Sequence, residues 1–310
     1  MNILRQTTFG PTDRRMGETG SSPWRGGLPF LLLIVSVAAL RPVMVPWVFM
    51  WALAGAMFLE CKWVALRVEG VDRMEGVSWG RRVAWYFGWP GLDAAAFFAK
   101  GKKVAPPGRS KWLWAVAKIG FGGVMLWLVI PRVPASQPLV AGWCGLIGLG
   151  FLLHFGGFHL LALAWQQHGV DAQPLMRAPI AATSLGDFWG RRWNTAFSHL
   201  AEKTLFQPFR RALGVIGATM LVFAVSGLVH ELAISLPARG GYGGPTGYFL
   251  WQGAGVLLER SPTGRALQLR QGLRGRLFAL AWVTLPLGWL FHAPFLDRVI
   301  LPCLRALKAG

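Results

Sequence analysis

The chain has 310 residues, of which 54% are hydrophobic and only 15% charged, with 17 Trp and a formal net charge of +19. A soluble domain of ordinary composition carries about a quarter charged residues, so the deficit argues against one and points to lipid as the solvent. The basic excess alone fits either nucleic-acid binding or Lys and Arg gathered in the loops on one side of a membrane, and the apolar runs decide for the membrane, with no nucleic-acid partner.

Residues 1–25 are largely polar, with Arg5, Arg14, Arg15 and Arg25, and read as a disordered cytoplasmic tail. Residues 26–310 read as a single membrane-embedded domain. Gly26–Leu40 is uncharged but short, and is expected to be a short first span or half of a hairpin. Pro42–Leu59 follows with 18 residues free of charge, long enough to cross most of a hydrocarbon core of ~30 Å at ~1.5 Å per residue.

Further spans are expected at Trp112–Ile130, Leu139–Trp165, Ala212–Leu236, Gly240–Leu258 and Leu277–Leu296. Lys118 inside the first of these is placed to snorkel. The tail Pro294–Leu307 is a possible eighth crossing. The fold class is therefore all-α, a polytopic transmembrane helical bundle of seven to eight spans. Cys61, Cys144 and Cys303 lie far apart without CxxC spacing. They read as apolar filler, and no metal site is expected.

Segments 1–25, 60–111, 166–211 and 259–276 hold 4, 10, 6 and 5 Lys or Arg, 25 of the chain's 32. The alternate loops hold only Arg41, Arg132 and Arg239. Lys and Arg collect on the cytoplasmic side, so the expected protein is a multi-pass one with its N-terminus in the cytoplasm. The preponderance of Arg over Lys points to a GC-rich genome and hence a bacterial inner membrane. Within 60–111, Arg81–Phe98 is aromatic-rich with basic residues at its start, and reads as interfacial or as a loop anchored by Trp.

Two stretches carry candidate chemistry. In Thr183–Leu200, Ser184 and Asp187 have capping-box spacing, so a helix should begin there. Trp189 and Trp193 are four apart, and Arg191 and Arg192 supply donors for a phosphate or headgroup, with Asn194 next. An amphipathic helix gripping the membrane surface accounts for the same pattern. In Val225–Leu232, His230 and Glu231 lie deep in an apolar run, where ionisable groups are costly and face protein or a cavity. His230 shares an i,i+4 stripe with Gly214, Ala218, Val222 and Ser226. A zincin HExxH motif is excluded because Ile234 stands where the second His belongs. His154 and His159 straddle different faces of their run, His168 lies in a loop, His199 fits the end of the interfacial helix, and His292 is in the last span close to Pro294, near the water boundary.

Pro174–Asn194, with its heptapeptide FWGRRWN, and the downstream SGLVHEL resemble the wax synthase branch of the membrane-bound O-acyltransferases. The likeness covers about sixty residues, with looser agreement at WPGLDAAAFF, Gln207-Pro208 and LPLGWLFHAPFL. The resemblance implies a bundle with an internal tunnel. It also implies no bound cofactor, with acyl-CoA as the acyl donor arriving from the cytoplasm and a long-chain alcohol or other lipid acceptor arriving from the membrane. It makes His230 and Asn194 the catalytic pair and sets Trp189, Arg191, Arg192 and Trp193 at the acyl-CoA end. A sterol or diacylglycerol acceptor is an alternative. From another class, a lipid transporter or flippase also places polar groups at mid-membrane, but such proteins often show internal repeats, and none is visible here.

The charge distribution makes its own prediction. Cysteines introduced at Gly108 and Gly243 will react with an impermeant thiol reagent from opposite sides of the membrane. Labelling of both from one side would overturn the orientation.

Overall fold

The structure, a computed structural model, describes residues 28–70, 76–99 and 104–309. The tail expected over 1–25 lies outside the described residues. In chain order the helices are α1 (Leu28–Ala39), α2 (Pro46–Val68), α3 (Trp79–Val83) and α4 (Ala94–Phe98). They continue as α5 (Arg109–Arg132), α6 (Pro138–Gln167), α7 (185–192), α8 (Thr195–Ala238), α9 (Gly244–Arg260), α10 (Pro262–Ala266), α11 (Gly272–Leu290) and α12 (Ala293–Ala306). Among the described residues all regular structure is helical. A proline stands in the first turn of α2, α6 and α9, where its missing N–H has no intrahelical partner to lose.

Four helices, α2, α5, α6 and α8, are long and apolar enough to cross a membrane. The pair α11 and α12, bent by 63°, adds a fifth if it counts as one span. The described residues thus support four to five crossings, below the seven to eight expected. Helix α1 has 12 residues and α9 has 17, rising only about 18 and 26 Å against a core of ~30 Å. Hydropathy counts apolar residues, but only the backbone shows where a helix breaks. The expected span Ala212–Leu236 is the second arm of α8, which breaks at Gly214 with φ 65 and ψ 177, a geometry reserved for glycine. The expected Leu277–Leu296 is interrupted between Leu290 and Ala293, where His292 caps the next turn by accepting the Phe295 N–H.

Two apolar cores organise the bundle. The first joins α8, α9, α11 and α12 through Phe223, Tyr248, Phe249, Val283 and Leu296, and takes in Leu185 and Phe188 of α7. Helices α8 and α9 meet closely at Gly227, where an added Cβ would lie 2.8 Å from the Thr246 Cα. The second core gathers Trp85, Trp89, Phe97 and Phe98 with Ala162 of α6. Arg81–Phe98 is therefore more than a surface anchor: Trp85 and Phe97 are fully buried, whereas Trp79 and Phe87 stay exposed.

Two charged residues also make contacts not expected from the sequence. Lys62 was counted with the cytoplasmic segment 60–111, but it lies in α2 and is fully buried. Its Nζ stands 3.6 Å above the Trp85 ring and donates to the Gly91 carbonyl at 2.5 Å. Lys118 has a partner within the bundle that its place in the sequence does not reveal: its Nζ is 3.2 Å from His159 Nδ1. Gly243, the labelling position named above, holds φ 87. The adjacent exposed Tyr242 accepts a cysteine there without backbone strain.

Candidate active site

Short-range capping builds the site. Ser184 Oγ accepts the Asp187 N–H at 2.9 Å, as the capping-box spacing predicts. The helix it starts is short. It closes with Trp193 N–H donating to the Phe188 carbonyl, and Trp193 itself is extended. Trp189 and Trp193 thus do not share one helical face, yet both pack on the same core. Trp189 lies 5.7 Å from Phe249 and 6.0 Å from Phe223, and its Nε1 donates to the buried Gln252 at 3.3 Å. Trp193 stacks on Phe188 at 5.5 Å and meets Phe155 at 5.9 Å. Packing engages both indoles, which remain half-buried.

The two arginines converge on one buried carboxylate. Arg191 Nε donates to Asp187 Oδ1 at 2.9 Å and Arg192 Nε to Oδ2 at 2.6 Å. Burial alone would raise the Asp187 carboxyl, but bonds from Arg192, the Thr183 N–H and Arg191 hold it below the usual carboxylate range. Arg192 also reaches the carbonyls of Arg177 and Ala178 at 3.4 Å, tying it into the fold. The Arg191 side chain remains 76% exposed and lines a vestibule of about 470 Å³. The vestibule is walled by the loop at Trp89–Asp93, by Asp171 and Arg177, and by Thr195 and His199. The WPGL stretch, only a loose match in sequence, is thus part of one wall.

Asn194 takes a left-handed φ of 42 before the next turn, and its side chain makes no capping hydrogen bond. Its backbone N–H donates to Met176 Sδ at 3.3 Å. Among the described residues no hydrogen bond joins Asn194 to His230.

His230 lies in α8, partly buried, with its ring 4.3 Å from Phe249. Phe249 therefore touches both His230 and Trp189, linking the two sequence motifs through one side chain. His230 Nδ1 is 2.7 Å from the Ser226 carbonyl. A carbonyl only accepts, so Nδ1 carries the proton and Nε2 keeps its lone pair. Glu231 points elsewhere: its Oε1 accepts the N–H groups of Gly243 and Thr246 and the Thr246 hydroxyl, at 2.9 to 3.1 Å. A carboxylate at the start of α9 favours the helix dipole and steadies the element that carries Phe249.

Four of the other histidines, His154, His159, His199 and His292, have side-chain partners. His154 packs edge-on to Phe158, His159 meets Lys118, and His292 bonds the buried Ser235 at 3.2 Å. His199 Nε2 and Lys203 Nζ both meet Glu69 Oε1, at 2.7 and 2.9 Å. Burial alone would raise the Glu69 carboxyl, but Lys203, the Ala95 N–H and His199 hold it low. Glu69, Asp93 and His199 bring potential ligand atoms within 4.8 Å of one another. Lys203 and the Ala96 N–H engage Glu69 and Asp93, and Glu69, His199 and Lys203 form an ion-pair cluster between the end of α2 and α8. Sequence reading missed this cluster, and missed Glu259, whose oxygens accept the Leu185 and Gly186 N–H groups at 2.7 and 3.0 Å. Its signal was an acid at the very end of an apolar run.

Comparison with known proteins places this arrangement in a class. Residues 172–251 match the Membrane bound O-acyl transferase family. A Long-chain-alcohol O-fatty-acyltransferase of Simmondsia chinensis is 36% identical over 135 residues, 40% of this chain and 38% of that protein. A Probable long-chain-alcohol O-fatty-acyltransferase 7 of Arabidopsis thaliana is 33% identical over 138 residues, covering 40% of each. An Acyl-CoA--sterol O-acyltransferase 1 of Arabidopsis thaliana is 37% identical over 70 residues, 20% of each chain. Residues 172–251 are thus a wax synthase-like membrane bound O-acyl transferase segment. The match spans about two-fifths of the length of the first two relatives. All three are plant proteins, so a bacterial source rests on the arginine bias alone.

The depressed carboxyls of Asp187 and Glu69 set a pH dependence. Their native pKa lies below the unfolded one, so their contribution is full above ~pH 4 and is lost as pH falls through the native values. Wild-type melting temperature will hold down to ~pH 4 and drop below it. Asp187→Asn will lower stability at neutral pH by roughly 1–3 kcal/mol and flatten the acid-side drop. An unchanged acid profile in that variant would show that Asp187 carries none of it.

Proposed function

We propose that the chain is a membrane-bound acyltransferase that moves a fatty-acyl group from acyl-CoA to the hydroxyl of a lipophilic alcohol, most simply yielding a wax ester. The observation that carries this reading is the His230 tautomer: Nδ1–H is engaged by the Ser226 carbonyl, which leaves Nε2 as a base within an apolar span. Nε2 takes the proton from the alcohol as its oxygen attacks the thioester carbonyl. The tetrahedral intermediate then collapses, the C–S bond breaks, and the CoA thiolate recovers the proton from His230. A thiolate leaves readily, so no second acid is required.

Asn194, adjoining the vestibule wall at Thr195, is proposed to donate its amide to the thioester oxygen, a contribution on the order of 3 kcal/mol for an oxyanion donor. Arg191 offers its guanidinium to the CoA phosphates at the vestibule, while Arg192 holds the α7 turn in place. Trp189 and Trp193 support the wall from behind. The tunnel implied by the family would run from this vestibule past Phe249 to His230, and the vestibule would open to the cytoplasm, with the N-terminus on that side. A sterol acceptor is the second reading, supported by the likeness to a sterol acyltransferase.

Membranes containing the protein, given labelled acyl-CoA and a panel of alcohols, will form ester. His230→Ala will lower kcat by at least ~100-fold while the protein still folds and inserts. Near-normal turnover in a well-folded His230→Ala protein would end the proposal.

The two arginines separate in a second measurement. Arg191→Gln will raise KM for acyl-CoA with little loss of thermal stability. Arg192→Gln will lower the melting temperature more than it raises KM. Equal behaviour of the two variants would remove Arg191 from the donor-binding role.

A further inference from the structure

Beyond the acyl-transfer machinery, the turn from α9 into α11 gathers unbalanced charge. Arg260, Arg265, Arg270, Arg274 and Arg276 are all exposed. No Asp or Glu occurs between residues 260 and 296. The neighbouring Glu259 is 1% exposed and both its oxygens accept backbone N–H groups of α7; it acts through space on Arg260 and Arg270, one negative charge against five positive. Among the described residues none of the five makes an ion pair. Among the described residues one side-chain hydrogen bond serves the cluster, from Arg265 Nη1 to the Arg260 carbonyl at 2.8 Å.

The same edge is apolar. Leu267, Leu273 and Leu277 are 53%, 68% and 58% exposed, interleaved with the arginines along the chain. The backbone holds them there: Gln268 and Gly272 take left-handed φ of 57 and 61, folding α10 back toward α11. Gly275 then docks so closely that an added Cβ would lie 2.1 Å from the Thr183 carbonyl. The edge is therefore rigidly attached beside Thr183, where the α7 turn begins.

We propose that this edge is a binding site for the headgroups of anionic phospholipids. Five guanidinium groups within 17 residues repel one another unless anions sit among them, and Arg binds phosphate oxygens bidentately. A dissolved phosphate would satisfy the charge but leave the leucines in water. A phospholipid satisfies both, with its phosphate among the arginines and its acyl chains along Leu273 and Leu277 as α11 enters the apolar layer. A polyanion such as RNA meets the charge alone and gains nothing from the leucines.

The test uses the full chain reconstituted in nanodiscs of equal parts phosphatidylcholine and phosphatidylglycerol. Spin-labelled phosphatidylglycerol and phosphatidylcholine report the relative association of each lipid with the protein. Wild type will favour phosphatidylglycerol, and the preference will shrink between ~0.1 M and ~1 M salt as the Debye length falls from about 10 to about 3 Å. R270Q/R274Q will reduce the preference roughly 25-fold, R270K/R274K will keep most of it, and R210Q/R211Q, which removes the same charge from α8, will leave it intact. If R270Q/R274Q does not incorporate, the single variants carry the same comparison at roughly fivefold each. Equal association of the two lipids with wild type, or an equal loss in R210Q/R211Q, would overturn the proposal. Full competition by inorganic phosphate would overturn it too, by making the edge a site for soluble anions.

Discussion

Glu259 has both carboxylate oxygens bonded to backbone N–H groups, those of Leu185 and Gly186. The first turn of a helix leaves such donors without intrahelical partners, and in an apolar interior no water supplies the missing acceptors. One carboxylate at the end of α9 answers that demand and fixes α7 against α9. Every later contact in the site follows from this register. Trp189 reaches Gln252 and Phe249 of α9, Asp187 gathers Arg191 and Arg192, and Thr183 meets the start of α11.

The same device recurs around the bundle. Glu231 serves the start of α9, Asp93 the start of α4, Ser184 that of α7 and His292 the first turn of α12. Polar side chains in this chain mostly terminate helices, and that use competes with catalysis for the same residue types. His230 and Glu231 show the division. Adjacent in sequence, they diverge by about 100° on a helix of about 3.6 residues per turn, so one holds the neighbouring helix while the other keeps a free ring nitrogen. The arrangement steadies Phe249, the ring against His230, through the helix that Glu231 caps.

The buried Lys62 extends the principle to a lysine. Its Nζ lies over the Trp85 ring and bonds the Gly91 carbonyl, joining α2 to the loop that walls the vestibule. The aromatic face and one carbonyl take the place of an acidic partner. Glu69, Lys203 and His199 brace the adjoining wall by ordinary ion pairing. The vestibule is therefore a rigid feature held by side chains far apart in sequence.

The amino-acid sequence by itself determined the solvent, the helical class and the two motifs proposed to carry the chemistry. Composition and hydrophobic run length are local properties, and a membrane rewards them directly. The Ser184 cap was legible for the same reason, since its partner is three residues away. The tertiary structure alone decided where the apolar runs break, as at Gly214 and between α11 and α12, because a backbone bend leaves no trace in hydropathy. It also decided which arginine is exposed. Arg191 and Arg192 are alike and adjacent in sequence, and only the position of Asp187 and of the carbonyls of Arg177 and Ala178 turns Arg192 inward and leaves Arg191 at the vestibule. Partners drawn from residues 69, 252 and 259 lie 60 or more positions from the motifs they support. Their pairing follows from close packing of helices, which no local pattern encodes.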